Sequence, residues 1–327
     1  MSIKDDYFAS YKLLERALLK KGYTTSFNEM RPATVTFTSP AGVSWQTRAA
    51  HLAYPFNSER ARDVCINKEK AYALATERNF PAPYTQLLSE AISETEAATL
   101  FDRFGALVVK PADSSLSRGL TVGVRDNDQL QRAIAGARSV SKNILIQQQV
   151  KGEELRFTLI NGKVEAVLLR QTAQVVGDGR STVRKLIAKE NEARSQIRLE
   201  HITYPQLSET LVSPALLNSA EVPSVGEIIE LNRSTMVSGG CSVYEILDSV
   251  DASYVREVER LVAGLDAGFM VVDVFCMDYT AEATAANHKL IEFNSAPALK
   301  LYYACRDGKQ FDIVSRLVTL IDEYLQR

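Results

Sequence analysis

Two apolar stretches near the C-terminus carry oxygen-bearing side chains where a buried strand ordinarily carries none. VVDVF, Val271 to Phe275, holds Asp273, and IEFNSAP, Ile291 to Pro297, holds Glu292 and Asn294. Strand alternation sends every second side chain to one face, so Glu292 and Asn294 share a face. Three oxygen ligands on neighbouring strands suit Mg2+, a hard ion that takes a few protein oxygens and leaves its other positions to phosphate and water. A magnesium ion so placed implies a nucleotide. MVVDVF and LIEFN are apolar enough for central strands, where an unpaired carboxylate costs several kcal/mol. A metal is one way to compensate those charges; structural Lys or Arg partners are the other.

Lys110 closes the run ALVVK and precedes PADSSLSRGLTVGV, a small-residue loop bounded by Gly119 and Gly123. Backbone N–H groups and the hydroxyls of Ser114, Ser115 and Ser117 can fold over phosphates while the lysine neutralises their charge. A solvated serine hairpin explains the same residues. Neither GxxxxGK(S/T) nor a GxGxxG after a strand occurs, so no P-loop or dinucleotide fold is indicated. In QQQVKGEELR, Gln147 to Arg156, a strand entered at Glu153 puts Glu154 and Arg156 on one face and Leu155 and Phe157 on the other. The carboxylate could accept from ribose hydroxyls and the guanidinium could reach phosphate oxygens; an exposed hairpin face is the alternative. No Ser-His-Asp or Cys-His pattern is present, and His51, His201 and His288 read as structural or surface residues.

These residues need elements to hold them. The chain has 327 residues, 46% apolar and 24% charged, enough for a sizeable core and ordinary for a globular enzyme. A net charge of -2 gives no bulk attraction to nucleic acid or an anionic membrane. Cys65, Cys241, Cys276 and Cys305 form no CxxC pair, so reduced thiols are expected rather than zinc or disulfides. The N-terminus MSIKDDYF has no apolar leader, and no apolar run approaches the ~20 residues that span a bilayer, so a cytoplasmic protein is expected.

A helix over 5–22, then ATVTFTSP, Ala41-Gly42 and VSWQTR, predict a short αβ unit over residues 1–60, with 57–66 as a linking segment. Asn67 caps the next helix, and alternating strands and helices make a small lobe over 61–150. Asn161-Gly162 turns a hairpin that opens a second lobe over 151–327. GDGRSTVRKLI enters a helix, and 191–224 reads as irregular. EIIEL, Gly239-Gly240, a helix near 252–267, the two carboxylate strands and a helix from Phe311 to Tyr324 complete the chain.

In this order NKEKAYALATERNFPAPY, VVKPADSSLSRG, QQQVKGEELR, VVGDGRSTVRKLI, VPSVGEIIEL, SGG, VVDVF and IEFNSAPAL resemble the ATP-grasp superfamily, and more closely its cyanophycin-synthetase-like and glutathione-synthetase-like amide ligases. The resemblance runs from about Asn67 to the C-terminus. It implies an α+β ATP-grasp fold, two α+β lobes sandwiching ATP, preceded here by the short αβ unit. It further implies that Lys68 and Lys110 hold the α and β phosphates, that Ser117, Arg118 and Gly119 form the phosphate lid, and that Gln147 meets the adenine edge with Val150 as a further nucleotide contact. Glu154 would take the ribose. Asp273, Glu292 and Asn294 would carry two Mg2+ ions, with Mn2+ as an alternative and Glu292 bridging. Arg170, Arg156 and Arg233 would be the catalytic arginines.

The activity implied is ATP-dependent ligation of a carboxylate to an amine through an acyl phosphate, on amino acids or small peptides. A phosphotransferase acting on a hydroxyl and a non-catalytic ATP-binding module are the alternatives. The chain departs from the family pattern at Gln147, where a hinge glutamate is usual, at Ser114 and Ser117, where glycines are common, and at Thr235 to Gly240, where Asn-x-Ser-Thr-Gly-Gly is usual. The N-terminal unit is short for the domain that normally precedes an ATP-grasp, so part of the substrate wall is expected either to be missing or to come from another subunit of a homo-oligomer. Substrate choice is expected from 191–224, 233–240 and 298–307.

Overall fold

The computed structural model describes residues 9–30, 32–88, 91–113, 118–197, 204–232, 239–306 and 309–326. The N-terminal helix α1 (Ala9–Lys20) is followed by an antiparallel sheet of β1 (Thr24–Asn28), β2 (Thr34–Thr38) and β3 (Ser44–Arg48). Helices α2 (Glu59–Ile66) and α3 (Lys68–Glu77) lead into a four-stranded antiparallel sheet. Its elements are β4 (Thr85–Leu88), α4 (Glu94–Phe104), β5 (Leu107–Pro111), β6 (Thr121–Val124), α5 (Asn127–Arg138) and β7 (Ile144–Gln148), in strand order β4-β7-β5-β6.

The larger sheet is also antiparallel. It takes β8 (Glu153–Ile160) and β9 (Lys163–Gln171) as a hairpin, and then, beyond β10 (Gln174–Val176), α6 (Val183–Gln196), α7 (Pro214–Leu217) and β11 (Ile228–Glu230), it adds β12 (Ser242–Glu245). After α8 (Ala252–Val262) come β13 (Phe269–Cys276) and β14 (His288–Asn294), giving the order β12-β9-β8-β13-β14; α9 (Ile313–Leu325) ends the chain. Asn161 and Gly162 sit at φ 48° and 76° in the β8–β9 turn, the left-handed pair that such a turn requires.

Each sheet is two-faced, and alternation decides which face does what. In the small sheet Leu107, Val109, Ile144 and Ile146 pack under α4 and α5, while the register Val108 to Gln147 and Lys110 to Leu145 turns those four residues the other way. Leu145 is buried in the core of the large sheet, so this second face looks across to the other lobe. In the large sheet Leu155, Phe157, Val272, Val274, Leu290 and Phe293 share a core with Tyr254, Val258 and Leu261 of α8. Val271, Leu168 and Val243 on the opposite face belong to a core with Leu14, Leu18, Phe37, Trp45, Tyr54 and the apolar side of α9. The N-terminal unit is therefore continuous with the large lobe, through Phe37, Trp45 and Tyr54, whose rings stack at 5.1 and 5.9 Å, and Phe269, edge-on to Tyr54 at 5.3 Å.

Three segments differ from the sequence-based expectation. The linking segment at 57–66 is mostly helix α2, capped by Ser58 Oγ accepting from Ala61 N–H; four charged residues hid its short apolar face, Ala61 and Val64. Asn67 then caps α3 by accepting from Glu69 and Lys70 N–H. The region 191–224 contains the end of α6 and all of α7. Here the inward side chain is Arg194, only 1% exposed, which donates to the carbonyls of Pro205 and Gly240, both at 2.9 Å; a charge on the buried face erased the apolar period. Strand β1 was not anticipated because nearly all of it is exposed. Cys65 is half-buried, the other three cysteines are buried, and none of the four forms a disulfide. Among the described residues no helix is long and apolar enough to cross a membrane.

Candidate functional site

The register of the large sheet assembles the polar residues of its cleft face. Asp273 lies opposite Glu292 on one side and Arg156 on the other; Val271 pairs with Asn294, and Glu154 with Arg170. An irregularity between Asp273 and Val274 skips Ile291 in the β13–β14 pairing, and with it Glu292 rather than its neighbour comes beside Asp273. Asp273, Glu292 and Asn294 thus occupy one face, with Glu154, Arg156 and Arg170 next to them.

The charges are paired closely. Arg156 Nε donates to Asp273 Oδ1 at 2.8 Å and Nη2 donates to Oδ2 at 2.6 Å, a two-pronged bond between side chains that are 5% and 1% exposed as residues. Arg170 Nη1 donates to Glu154 Oε1 and stands 3.9 Å from Asp273 Oδ2. Glu154 is buried as well, so this stretch of hairpin is a covered surface and not an exposed one. Behind the arginines Thr158 Oγ1 and Tyr302 OH share a hydrogen bond of 2.8 Å, and burial pushes the Tyr302 hydroxyl up to about 12.

Arg156 is the charge partner that the apolar strand around Asp273 demanded. It does not exhaust the carboxylate, because each oxygen takes one N–H and has further lone-pair capacity. Glu292 is half-buried, and among the described residues no hydrogen bond engages its carboxylate. Asn294 Oδ1 accepts from Ala296 N–H at 2.8 Å and has a second lone pair. These are hard oxygen donors on one face, which fits Mg2+. Among the described residues no group of three or more His, Cys, Asp or Glu forms a metal cluster, and the oxygen donors of this face are two carboxylates and one amide.

Two lysines approach from the other side. Lys68 opens α3, which packs against β14; burial lowers its pKa first, the charge of Glu292 opposes that, Lys110 adds to it and Asp113 opposes it. Lys110 Nζ donates to Tyr72 OH at 3.1 Å, and that hydroxyl donates to Ile291 O at 3.0 Å, on the outer edge of β14. Tyr72 was missed from the sequence, although its place four residues after Lys68 puts both on one helical side. The same edge is closed by Leu290 N–H donating to Pro81 O at 2.8 Å.

Gln147 is buried, with Nε2 donating to Thr85 Oγ1 at 2.8 Å, and half-buried Val150 lies in the connection to β8. Gly152, in that connection, has φ 137°, and a Cβ there would meet Cys276 O at 2.6 Å. Arg118 is exposed; Gly119 has φ 72°, and its Cβ would meet Pro111 at 2.9 Å. Ser114, Ser115, Ser117, Arg233 and residues 235–238 lie outside the described residues. His288 sits edge-on between Phe80 and Tyr254, a core residue. A cavity of about 630 Å³ lies at the Asn161-Gly162 turn, and none of these polar cleft residues lines it.

No family model matches the chain. It is 24% identical over 306 residues to cyanophycin synthetase of a Nostoc species, covering 86% of this chain and 33% of the relative. To the glutathione biosynthesis bifunctional protein GshAB of Listeria welshimeri it is 28% identical over 265 residues, covering 79% and 34%. The chain spans about a third of the length of these curated relatives. Among solved structures, a bifunctional glutathione synthetase from Pasteurella multocida superposes with a TM-score of 0.64 at 19% identity, covering 97% of this chain and 45% of that one. D-alanyl-alanine synthetase A from Vibrio cholerae gives 0.57 at 14% identity, covering 99% and 95%.

Proposed function

The chain has the ATP-grasp fold, and from that premise we propose that it is an ATP-dependent carboxylate–amine ligase acting on amino acids or small peptides. The observation that carries this reading is the two-sided cleft, in which Lys68 and Lys110 approach the Asp273, Glu292 and Asn294 face and Tyr72 ties Lys110 to β14. A polyphosphate would be held between the lysines and the oxygen face. Mg2+, or Mn2+ in its place, would be held by Asp273, Glu292 and Asn294, and when bound supplies charge neutralisation and alignment of the phosphates.

Lys68 and Lys110 would hold the α and β phosphates, and Arg118 and Gly119, with Ser117, the lid over them. Gln147 retains its amide oxygen for the adenine edge, Val150 adjoins it, and Glu154 would orient the ribose while held by Arg170. A substrate carboxylate oxygen attacks the γ phosphorus in line, ADP leaves, and an acyl phosphate forms. The amine nitrogen then attacks the acyl carbon, expels phosphate and loses its proton, leaving an amide. Arg170 and Arg233 are the cations proposed to balance the charge that moves, while Arg156 is held on Asp273. Water must be excluded while the acyl phosphate exists, and closure of the lobes about the Gly152 connection is the natural means. The cytoplasm is the proposed compartment, and a homo-oligomer is the proposed assembly.

Incubation with ATP and paired amino acids or peptides tests the proposal. Phosphate release that requires both a carboxylate and an amine supports ligation. A stable phosphorylated product formed without amine replaces it with phosphotransfer, and tight ATP binding without turnover on any acid and amine pool replaces it with a regulatory module.

A further inference from the structure

Charge is balanced about the oxygen face. Four described carboxylates, Glu154, Asp273, Glu292 and Asp113, stand among four cations, Arg156, Arg170, Lys68 and Lys110. Both oxygens of Asp273 are engaged by Arg156, with Arg170 beyond, and Asp273 is almost wholly buried. Its field is therefore spent on the neighbouring guanidinium rather than projected into the cleft. Glu292 lies on β14, against which the helix opened by Lys68 packs, so its charge is offset by the field of that lysine. A free divalent cation, which gives up its water reluctantly, meets no net negative charge here. A polyphosphate meets the opposite situation, since the lysines attract it and it brings the negative charge and oxygens that the face lacks.

We infer that Arg156 is a resident counter-ion of Asp273 and makes the oxygen face bind a divalent cation only together with a polyphosphate. This rests on the metal assignment proposed above and adds an order to it: metal enters with the nucleotide, not before it. The burial of the pair supports the same role. An Asp273 held for a metal alone would be an isolated buried charge whenever the metal left, a state that costs several kcal/mol. With Arg156 in register the carboxylate is compensated in every state of the cycle. Arg156 is then a positioning residue that acts through Asp273.

The experiment measures Mn2+ binding to the full chain by electron paramagnetic resonance, with and without a non-hydrolysable ATP analogue. The unaltered chain should bind Mn2+ at least about tenfold more tightly with the analogue than without it. Arg156→Gln should bind Mn2+ alone at least about tenfold more tightly than the unaltered chain, while Arg156→Lys, which keeps the cation, should not. Equal affinity of the unaltered chain with and without the analogue overturns the inference and leaves the ligase reading standing. So does a folded Arg156→Gln whose affinity for Mn2+ alone is unchanged. If Arg156→Gln fails to fold, the unaltered chain and Arg156→Lys decide the matter by the same two comparisons. Analogue binding with no Mn2+ uptake overturns the metal assignment itself, and the inference with it.

Discussion

Glu292 and Asp273 face each other across two strands, yet they predict different consequences when removed. No described hydrogen bond engages the Glu292 carboxylate, so Glu292→Ala should leave thermal unfolding nearly unchanged while phosphate release falls at least about a hundredfold. Near-normal turnover would refute the site. Asp273→Ala should also abolish activity, but it leaves Arg156 buried without its partner and should cost about 3–5 kcal/mol in urea unfolding. Tyr72→Phe removes the hydroxyl between Lys110 and Ile291; its expected effect is a several-fold rise in the KM for ATP, about 1 kcal/mol, at little change in kcat. An unchanged KM would make Tyr72 only a packing residue. The shared face of Glu292 and Asn294 was legible in the sequence because alternation is local. Arg156 as the partner of Asp273 was not, because the two are 117 positions apart and only the strand register joins them.

Elements were legible where their ends carry side-chain chemistry. Helix α4 has a reciprocal cap, Ser93 Oγ accepting from Glu96 N–H and Glu96 accepting from Ser93 N–H, and its bounds follow from it. The β8–β9 hairpin was announced by Asn161-Gly162. Helix α6 was cut short because Arg194 occupies a core position, a role that composition alone assigns to an apolar residue. The β7–β8 connection has its own test. Gly152 has a φ that L side chains rarely adopt and lies against the Cys276 backbone, so Gly152→Ala should destabilise by about 1–3 kcal/mol and lower kcat by restricting lobe closure. Unchanged unfolding and kcat in that variant would remove the connection from the mechanism.

At the scale of the molecule, burial lowers the His288 pKa below its ordinary value of 6.5. The unfolded chain then binds the proton more readily, so this stability is complete above 6.5 and is lost as pH falls through that value toward the folded pKa. The unfolding temperature should drop between about pH 7.5 and 5.5, and less so in His288→Phe; equal slopes would exclude His288 as a cause. The order of lobes could be read from motifs, but the union of the N-terminal unit with the large lobe could not, since it is made by side chains from opposite ends of the chain. Trp45, the sole tryptophan, stands within that union, stacked between Phe37 and Tyr54 and donating its indole N–H to Ala53 O. Nature has thus installed an optical reporter at the seam: a shift in its emission would register detachment of the first sixty residues and stay silent to events among the phosphates.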